Sequence, residues 1–118
     1  MKPEAFYDFC AQLQTVVPEM MGVALLSTDG SVLYQEGELV ADIGLVGVAG
    51  AAVMRLAEHI GSGLEECPAQ EITIRCKKHA ALFAPMTADT MVMVVLPTGV
   101  DTRIIGSNIH KINGSQTQ

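Results

Sequence analysis

A chain of 118 residues, of which 49% are hydrophobic, is long enough to form one domain with its own core and too apolar to be disordered. With 13 acidic against 7 basic residues and a net charge of -6, it lacks the basic surface that nonspecific nucleic-acid binding requires. The composition therefore favours a single globular domain that contacts proteins, not nucleic acid.

The N-terminal segment and the cysteines indicate a cytoplasmic protein. Glu4 and Asp8 stand where a secretory signal would be apolar. The uncharged run inside Asp42–Gly61 spans about 12 residues, short of the roughly 20 that cross a bilayer, so we expect no membrane insertion. The cysteines are odd in number and form no CxxC motif, as is typical of reduced thiols: Cys10, Cys67 and Cys76.

The first part of the chain predicts a helix followed by a β-hairpin. Over Lys2–Val17 apolar residues recur at three- and four-residue spacing, and Pro18 ends this helix. Two apolar runs, Gly22–Thr28 and Ser31–Gln35, flank the dipeptide Asp29-Gly30. This dipeptide favours a tight hairpin turn in which both central residues have positive φ.

A long helix is predicted over Asp42–Gly61, after a connection over Glu36–Ala41. The side chain of Asp42 can cap the helix by accepting a bond from an unpaired backbone amide. Between Ile43 and Met54 no side chain is polar or charged, whereas an ordinary surface helix has one wet face. We therefore expect this helix to be covered on two sides.

Three strands and a helix are predicted for the rest of the chain, after a loop over Leu64–Ala69. The first strand alternates apolar and charged residues, which is typical of a half-buried edge strand, and the third is apolar throughout, which is typical of a central strand. Pro85 weakens the far end of the second strand. The segments are Glu71–Lys77, Ala81–Met86, Thr90–Leu96 and a helix from Asp101 or Thr102 to about Ile112.

The order of these elements predicts an α+β fold. Short turns between the strands favour a five-stranded antiparallel sheet. We expect the long helix on one face of the sheet and the N- and C-terminal helices on the other. Residues 1–113 then form a single domain, and residues 114–118 form a disordered tail.

The long helix divides into a bulky face and a face of small residues. The bulky face suits the protein's own sheet and contains Leu45, Ala49, Val53, Leu56 and Ile60. The opposite face contains Gly44, Gly47 and Ala51, followed by Arg55 and Glu58. Small residues let a second backbone approach closely, so we expect this face to pair with the same helix of a second copy, where Arg55 and Glu58 could meet opposite charges. The alternative is that the glycines fit beneath a loop of their own chain.

No group of residues in the sequence forms a catalytic or metal-binding constellation. Cys76 and His79 fall on opposite faces of an extended strand, so we expect a buried structural thiol and a turn histidine. Arg75, Lys77 and Lys78 place three of the seven basic residues within four positions. They fit either a solvated edge strand or a docking patch for an acidic partner surface.

The pattern resembles the Roadblock family, also called the Roadblock type of dynein light chains. The resemblance rests on GVALLSTDGSVLY for the hairpin, DIGLVGVAGAAVMRLAEHIG for the helix of small residues, and TMVMVVL for the closing strand, and it covers roughly residues 2–113. It implies a noncatalytic dimer without cofactors, in which the long helices pair and the third strands meet. In this chain those elements are Asp42–Gly61 and Gln70–Lys77, so Ile72, Thr73, Ile74 and Arg75 join the expected interface.

The resemblance also implies a function. Bacterial and archaeal members are similar to regulators of small Ras-like GTPases, and eukaryotic members serve as scaffolds on dynein or on GTPase-containing complexes. We therefore expect a homodimer that binds a Ras-like GTPase and modulates its activity or localisation. The alternatives are a small-molecule sensor of related fold, against which the large apolar side chains argue because they fill a cavity, and a dynein-type motor adaptor light chain.

Overall fold

The computed structural model describes residues 1–38, 42–65 and 69–116, with side chains as far as Asn113. Its elements are α1 (Pro3–Val16), β1 (Gly22–Ser27), β2 (Val32–Gly37), α2 (Ile43–Gly63), β3 (Ile72–Arg75), β4 (His79–Thr87), β5 (Thr90–Pro97) and α3 (Arg103–Gln116). The predicted order of elements is confirmed. The predicted connection at 39–41 and the predicted loop at 66–68, which includes Cys67, lie outside the described residues.

The five strands form one sheet in the order β2-β1-β5-β4-β3, and every neighbouring pair is antiparallel. β1 and β5 lie at the centre and are buried almost throughout, as their unbroken apolar sequences predict. β2 and β3 are the two edges. The α+β prediction and the edge position of the third strand are both confirmed.

Helices cover both faces of the sheet, in the arrangement that was predicted. On one face, α1 and α3 pack on the sheet through fully buried side chains that include Phe6, Phe9 and Ile105. On the other face, Ala51 and Met54 of α2 pack against a smaller core that contains Phe83, Met91 and Met93. The side of α2 that faces away from the sheet is exposed to solvent.

The hairpin turn between β1 and β2 differs in detail from the prediction. Gly30 has φ of +93°, but Asp29 does not have a positive φ, so the turn is not the two-residue type in which both central residues are left-handed. Instead, Gly30 N donates to Ser27 O and Ser27 N donates to Ser31 O, which closes a three-residue loop with the glycine in the left-handed position. Asp29 contributes through its carboxylate, which accepts from the Ser27 hydroxyl and, at 3.0 Å, from Ser31 N.

These bonds make the turn sensitive to acid. The Ser27 hydroxyl first, and the Ser31 amide second, lower the pKa of Asp29 from 3.8 to about 2. Because the folded-state pKa is depressed, the stabilisation is present above about pH 4 and is lost as the pH falls toward 2. Asp29→Ala should therefore lower the urea midpoint at pH 6, and its difference from the parent should shrink between pH 4 and 2. Asp89→Ala, in the exposed β4–β5 turn, is the control for removing an exposed aspartate from a turn of the same sheet.

Several predicted boundaries are shifted. Asp42 caps α2 by accepting from Leu45 N at 3.2 Å, as predicted, but the helix continues through Gly61 to Gly63. The β4 strand is longer than predicted, and its pairing with β5 shifts register between Pro85 and Thr87, where the proline falls beyond the end of β3. The α3 helix ends at Gln116, three residues past the predicted domain boundary, and residues 117–118 lie outside the described part.

Candidate functional site

The α2 helix lies on the sheet with its small residues inward, so the predicted assignment of its two faces is wrong. Gly47, Gly50 and Ala51 are buried. The side chains expected to contact the sheet point to solvent instead, with exposed fractions of 68% for Leu45, 64% for Leu56 and 65% for Ile60. Gly47 and Ala51 therefore contact their own chain and cannot provide the surface for a second copy, whereas Gly44 is exposed.

The reason is that the surface beneath α2 leaves no room for side chains. A Cβ at position 47 would lie 2.5 Å from the carbonyl oxygen of Gly30 in the β1–β2 turn. A Cβ at position 50 would lie 2.2 Å from Cε1 of Phe83, a ring that is itself fully buried. A close approach of backbone does explain Gly47. The approaching backbone is the chain's own β1–β2 turn, so the alternative, that the glycines fit beneath a loop of their own chain, is correct for this residue.

The reversed orientation creates a stripe of exposed apolar side chains along α2. Its members recur at the spacing of one helix face and are Leu45, Val48, Leu56 and Ile60, each more than half exposed. Ile74, on the neighbouring edge strand β3, is 42% exposed. We call these five side chains the α2–β3 apolar surface. Contiguous apolar surface of this kind on a soluble domain marks a site of interaction.

An apolar groove of about 470 Å³ separates α2 from β3 and β4. Its walls include Val46, Ala49 and Val53 on the helix, and its floor includes Phe83 and Met93 of the sheet. The expectation that large apolar side chains fill all space between helix and sheet is therefore wrong.

A second groove, of about 340 Å³, lies on the other side of α2 and is more polar. Arg55 and Glu58 line it together with Thr28 and Asp29 of the hairpin turn. Arg55 Nη1 donates to the backbone oxygen of Thr28 at 3.4 Å. Arg55 is thus directed toward its own chain, away from the α2–β3 apolar surface, although both Arg55 and Glu58 are exposed.

The edge strand β3 pairs only with β4 in the described sheet, which leaves its outer edge open. Ile72 and Thr73 are half-buried, whereas Ile74 and Arg75 are exposed. The open row of backbone groups lies beside the α2–β3 apolar surface. Together they offer a second chain both hydrogen bonds and apolar contact.

The three basic residues of the predicted docking patch have different surroundings. The Arg75 guanidinium donates to the backbone oxygens of Thr98 and Val100, and so ties β3 to the segment before α3. Lys77 and Lys78 are exposed in the β3–β4 turn and make no ion pair with any described residue. Of the predicted patch, only these two lysines present unpaired charge.

Cys76 and His79 lie closer together than the sequence predicts. Cys76 N donates to His79 O at 2.8 Å across the β3–β4 turn, and both residues line the apolar groove. The thiol of Cys76 is exposed, so its prediction as a buried structural thiol is wrong, whereas Cys10 is buried. Among the described residues, no three His, Cys, Asp or Glu side chains are grouped so that they could hold a metal ion.

By length and composition alone, α2 could cross a membrane. A single helix of this kind is weak evidence, because core helices of soluble proteins meet the same criteria. Arg55, Glu58 and His59 interrupt its apolar sequence, and its small face is buried against the sheet.

Comparisons with known proteins address the fold. No protein-family model and no curated protein matches the sequence. Among solved structures, a Roadblock/LC7 domain from Streptomyces avermitilis is 16% identical, with a TM-score of 0.74 over 89% of this chain and 88% of that one. MglB from Myxococcus xanthus is 12% identical, with a TM-score of 0.73 over 95% and 94%. An MglB described with a tetrameric arrangement is 11% identical, with a TM-score of 0.74 over 98% and 90%.

The chain has the Roadblock fold. The sequence resemblance and the structural similarity agree on this, since both extend over most of the chain. At these sequence identities the similarity is one of fold.

Proposed function

We propose that this protein is a noncatalytic cytoplasmic regulator that forms a homodimer and binds a small Ras-like GTPase. The observation that carries the proposal is the α2–β3 apolar surface, which lies beside the open edge of β3. Pairing of α2 with its counterpart would bury this surface, and antiparallel pairing of β3 with its counterpart would join two sheets into one. The dimer contact then uses the α2 helix and the Gln70–Lys77 strand, with Leu45, Leu56 and Ile60 in place of Gly47 and Ala51.

The GTPase partner is supported by the Roadblock fold and by what the family resemblance implies. We assign the described side chains a role in binding the GTPase and none in its catalysis. Arg103 is 88% exposed at its side chain, but it is held by Asp101 at 2.8 Å, which makes it a poor candidate for an arginine that reaches into a GTPase. Regulation would therefore act through contact with the mobile loops of the GTPase.

A binding titration tests the GTPase proposal. The full chain is titrated into a Ras-like GTPase encoded near it, loaded either with GDP or with a nonhydrolysable GTP analogue, and binding is followed by interferometry. We expect binding that differs at least about tenfold between the two nucleotides, a ratio that corresponds to about 1.4 kcal/mol. Equal affinity for both forms, or no binding below 100 µM, would contradict a regulatory role.

The exposed lysines predict an effect on association. Replacing Lys77 and Lys78 by glutamate removes the free positive charge beside β3 and should slow association with an acidic partner surface several-fold at low salt. The melting temperature should stay nearly unchanged, because both side chains are exposed. The control reverses two other exposed lysines, Lys2 before α1 and Lys111 on α3, to glutamate and so changes the net charge equally. An on-rate equal to that of this control would remove the docking patch.

The apolar groove favours one alternative, a small-molecule sensor. Its volume of about 470 Å³ suits a small apolar ligand if α2 is not covered by a second chain. A thermal-shift screen with apolar metabolites distinguishes the two functions, since stabilisation that survives in a monomeric variant supports the sensor. A dynein-type adaptor role, implied by the resemblance alone, gains no separate support from the geometry.

A further inference from the structure

Strand β2 forms the second open edge of the sheet, at the opposite end from β3. Almost all of its side chains are exposed, including Val32 and Leu33. Unlike the β3 edge, which is followed by two lysines, β2 contains no basic residue and no proline to discourage pairing. The register shift with β1 lies beside the hairpin turn and Gly37 has a φ of +85°, so the regular part of the strand is Tyr34–Glu36.

A groove of about 440 Å³ runs between this edge and α1. One wall is a ridge of α1 made by Tyr7, Ala11 and Gln14, which follow one another at helical spacing, and the other wall is Glu36 of β2. Tyr7 is 46% exposed. Tyr34 stacks on Phe6 with 5.6 Å between ring centroids, which shows that alternate residues of β2 face α1.

The part of the sequence that supplies this groove is acidic. The first 38 residues contain six acidic side chains and a single basic one, Lys2. Glu36 and Glu38 make no ion pair with any described residue. Burial, and second the charge of Glu36, raise the pKa of the Cys10 thiol to about 12, which places the carboxylate beside a desolvated side chain at the base of the groove.

We propose that the β2 edge and the α1 groove bind an extended segment of a partner protein that carries lysine or arginine at alternate positions. Its backbone would pair with Tyr34–Glu36 as a short sixth strand, in the manner of strand addition to an exposed edge. Alternate side chains would enter the groove, where an aliphatic stem can lie on Tyr7 and a cationic end can meet Glu36. Four strand spacings, roughly 19 Å, separate this edge from β3, so the contact lies apart from the β3 edge of the proposed dimer.

Fluorescence anisotropy and amide chemical shifts test this proposal on the full chain. The probe is a nine-residue fluorescein-labelled peptide of alternating lysine and valine, compared with a glutamate–valine peptide and with a lysine–valine peptide N-methylated at alternate residues. We expect the first peptide to bind at least tenfold more tightly than either of the others. Its amide shifts should cluster at Tyr34–Glu36 and along Tyr7–Gln14.

Two matched variants separate this site from general charge attraction. Glu36→Lys should weaken binding of the lysine–valine peptide about fivefold, the effect of one exposed ion pair, and Glu58→Lys, with the same charge change on α2, should leave it unchanged. The proposal is overturned if both variants weaken binding equally, if the shifts fall on β3, or if no binding occurs below 1 mM. Loss of the proposed dimer or of GTPase binding would not alter any of these results.

Discussion

Gly47→Ala is expected to destabilise the protein although it replaces glycine by the best helix former. Alanine should gain up to about 1 kcal/mol of helix propensity. The added Cβ would lie 2.5 Å from Gly30 O, which is backbone and cannot rotate away. Overpacking of this kind costs typically 1–3 kcal/mol, so the middle of that range less the propensity gain leaves an expected net loss of about 1 kcal/mol in the free energy of unfolding. Urea denaturation measures this loss.

Gly44→Ala is the matched control, three residues earlier in the same helix. Its Cβ would meet only Asp42 Oδ1, at the ordinary distance of 3.5 Å, and the position is exposed. The variant should be as stable as the parent or more stable by up to about 1 kcal/mol. If Gly47→Ala were equally stable, the β1–β2 turn would not pack on α2, and the small face would be free for a partner as the sequence predicts.

Most of the fold could be predicted because its signals are local. The alternation in β3, the unbroken apolar runs of β1 and β5, and the cap at Asp42 each follow from backbone geometry and burial within a few residues. The hairpin turn was located from Asp29-Gly30, but its type depends on hydrogen bonds from Ser27 and Ser31 that the dipeptide alone does not specify.

The candidate site could be predicted only in part, because the orientation of α2 is decided by residues distant in sequence. Periodicity shows that a helix has two unlike faces, but not which face the sheet can accept. Here Phe83 and the turn at Gly30 fill the space beneath α2, so the helix residues that face them must be glycines. The helix does have two unlike faces, and the face exposed in the single chain is the bulky one.

Leu56→Glu is expected to convert the proposed dimer to a monomer. Leu56 is 64% exposed in the single chain and belongs to the α2–β3 apolar surface. Burial of a leucine stabilises by about 1.5–3 kcal/mol, and a two-fold interface would contain it twice. We therefore expect the dissociation constant to rise about 100-fold or more, with sedimentation velocity at 10 µM showing the variant as a monomer and the parent as a dimer.

Ile104→Glu is the control for this result, because Ile104 is 54% exposed on α3, on the other side of the sheet. It makes the same change from an exposed aliphatic side chain to a charge and should leave the dimer intact. Dimerisation itself stabilises the folded chain by mass action, so unfolding of both variants and the parent is compared at a dilution where all are monomeric. At that dilution, Leu56→Glu should have the same free energy of unfolding as the parent, since the side chain of Leu56 contributes little to the core. A dimer that survives Leu56→Glu but is lost with Ile104→Glu would place the interface on the α1–α3 face, leaving the α2–β3 apolar surface for a different partner.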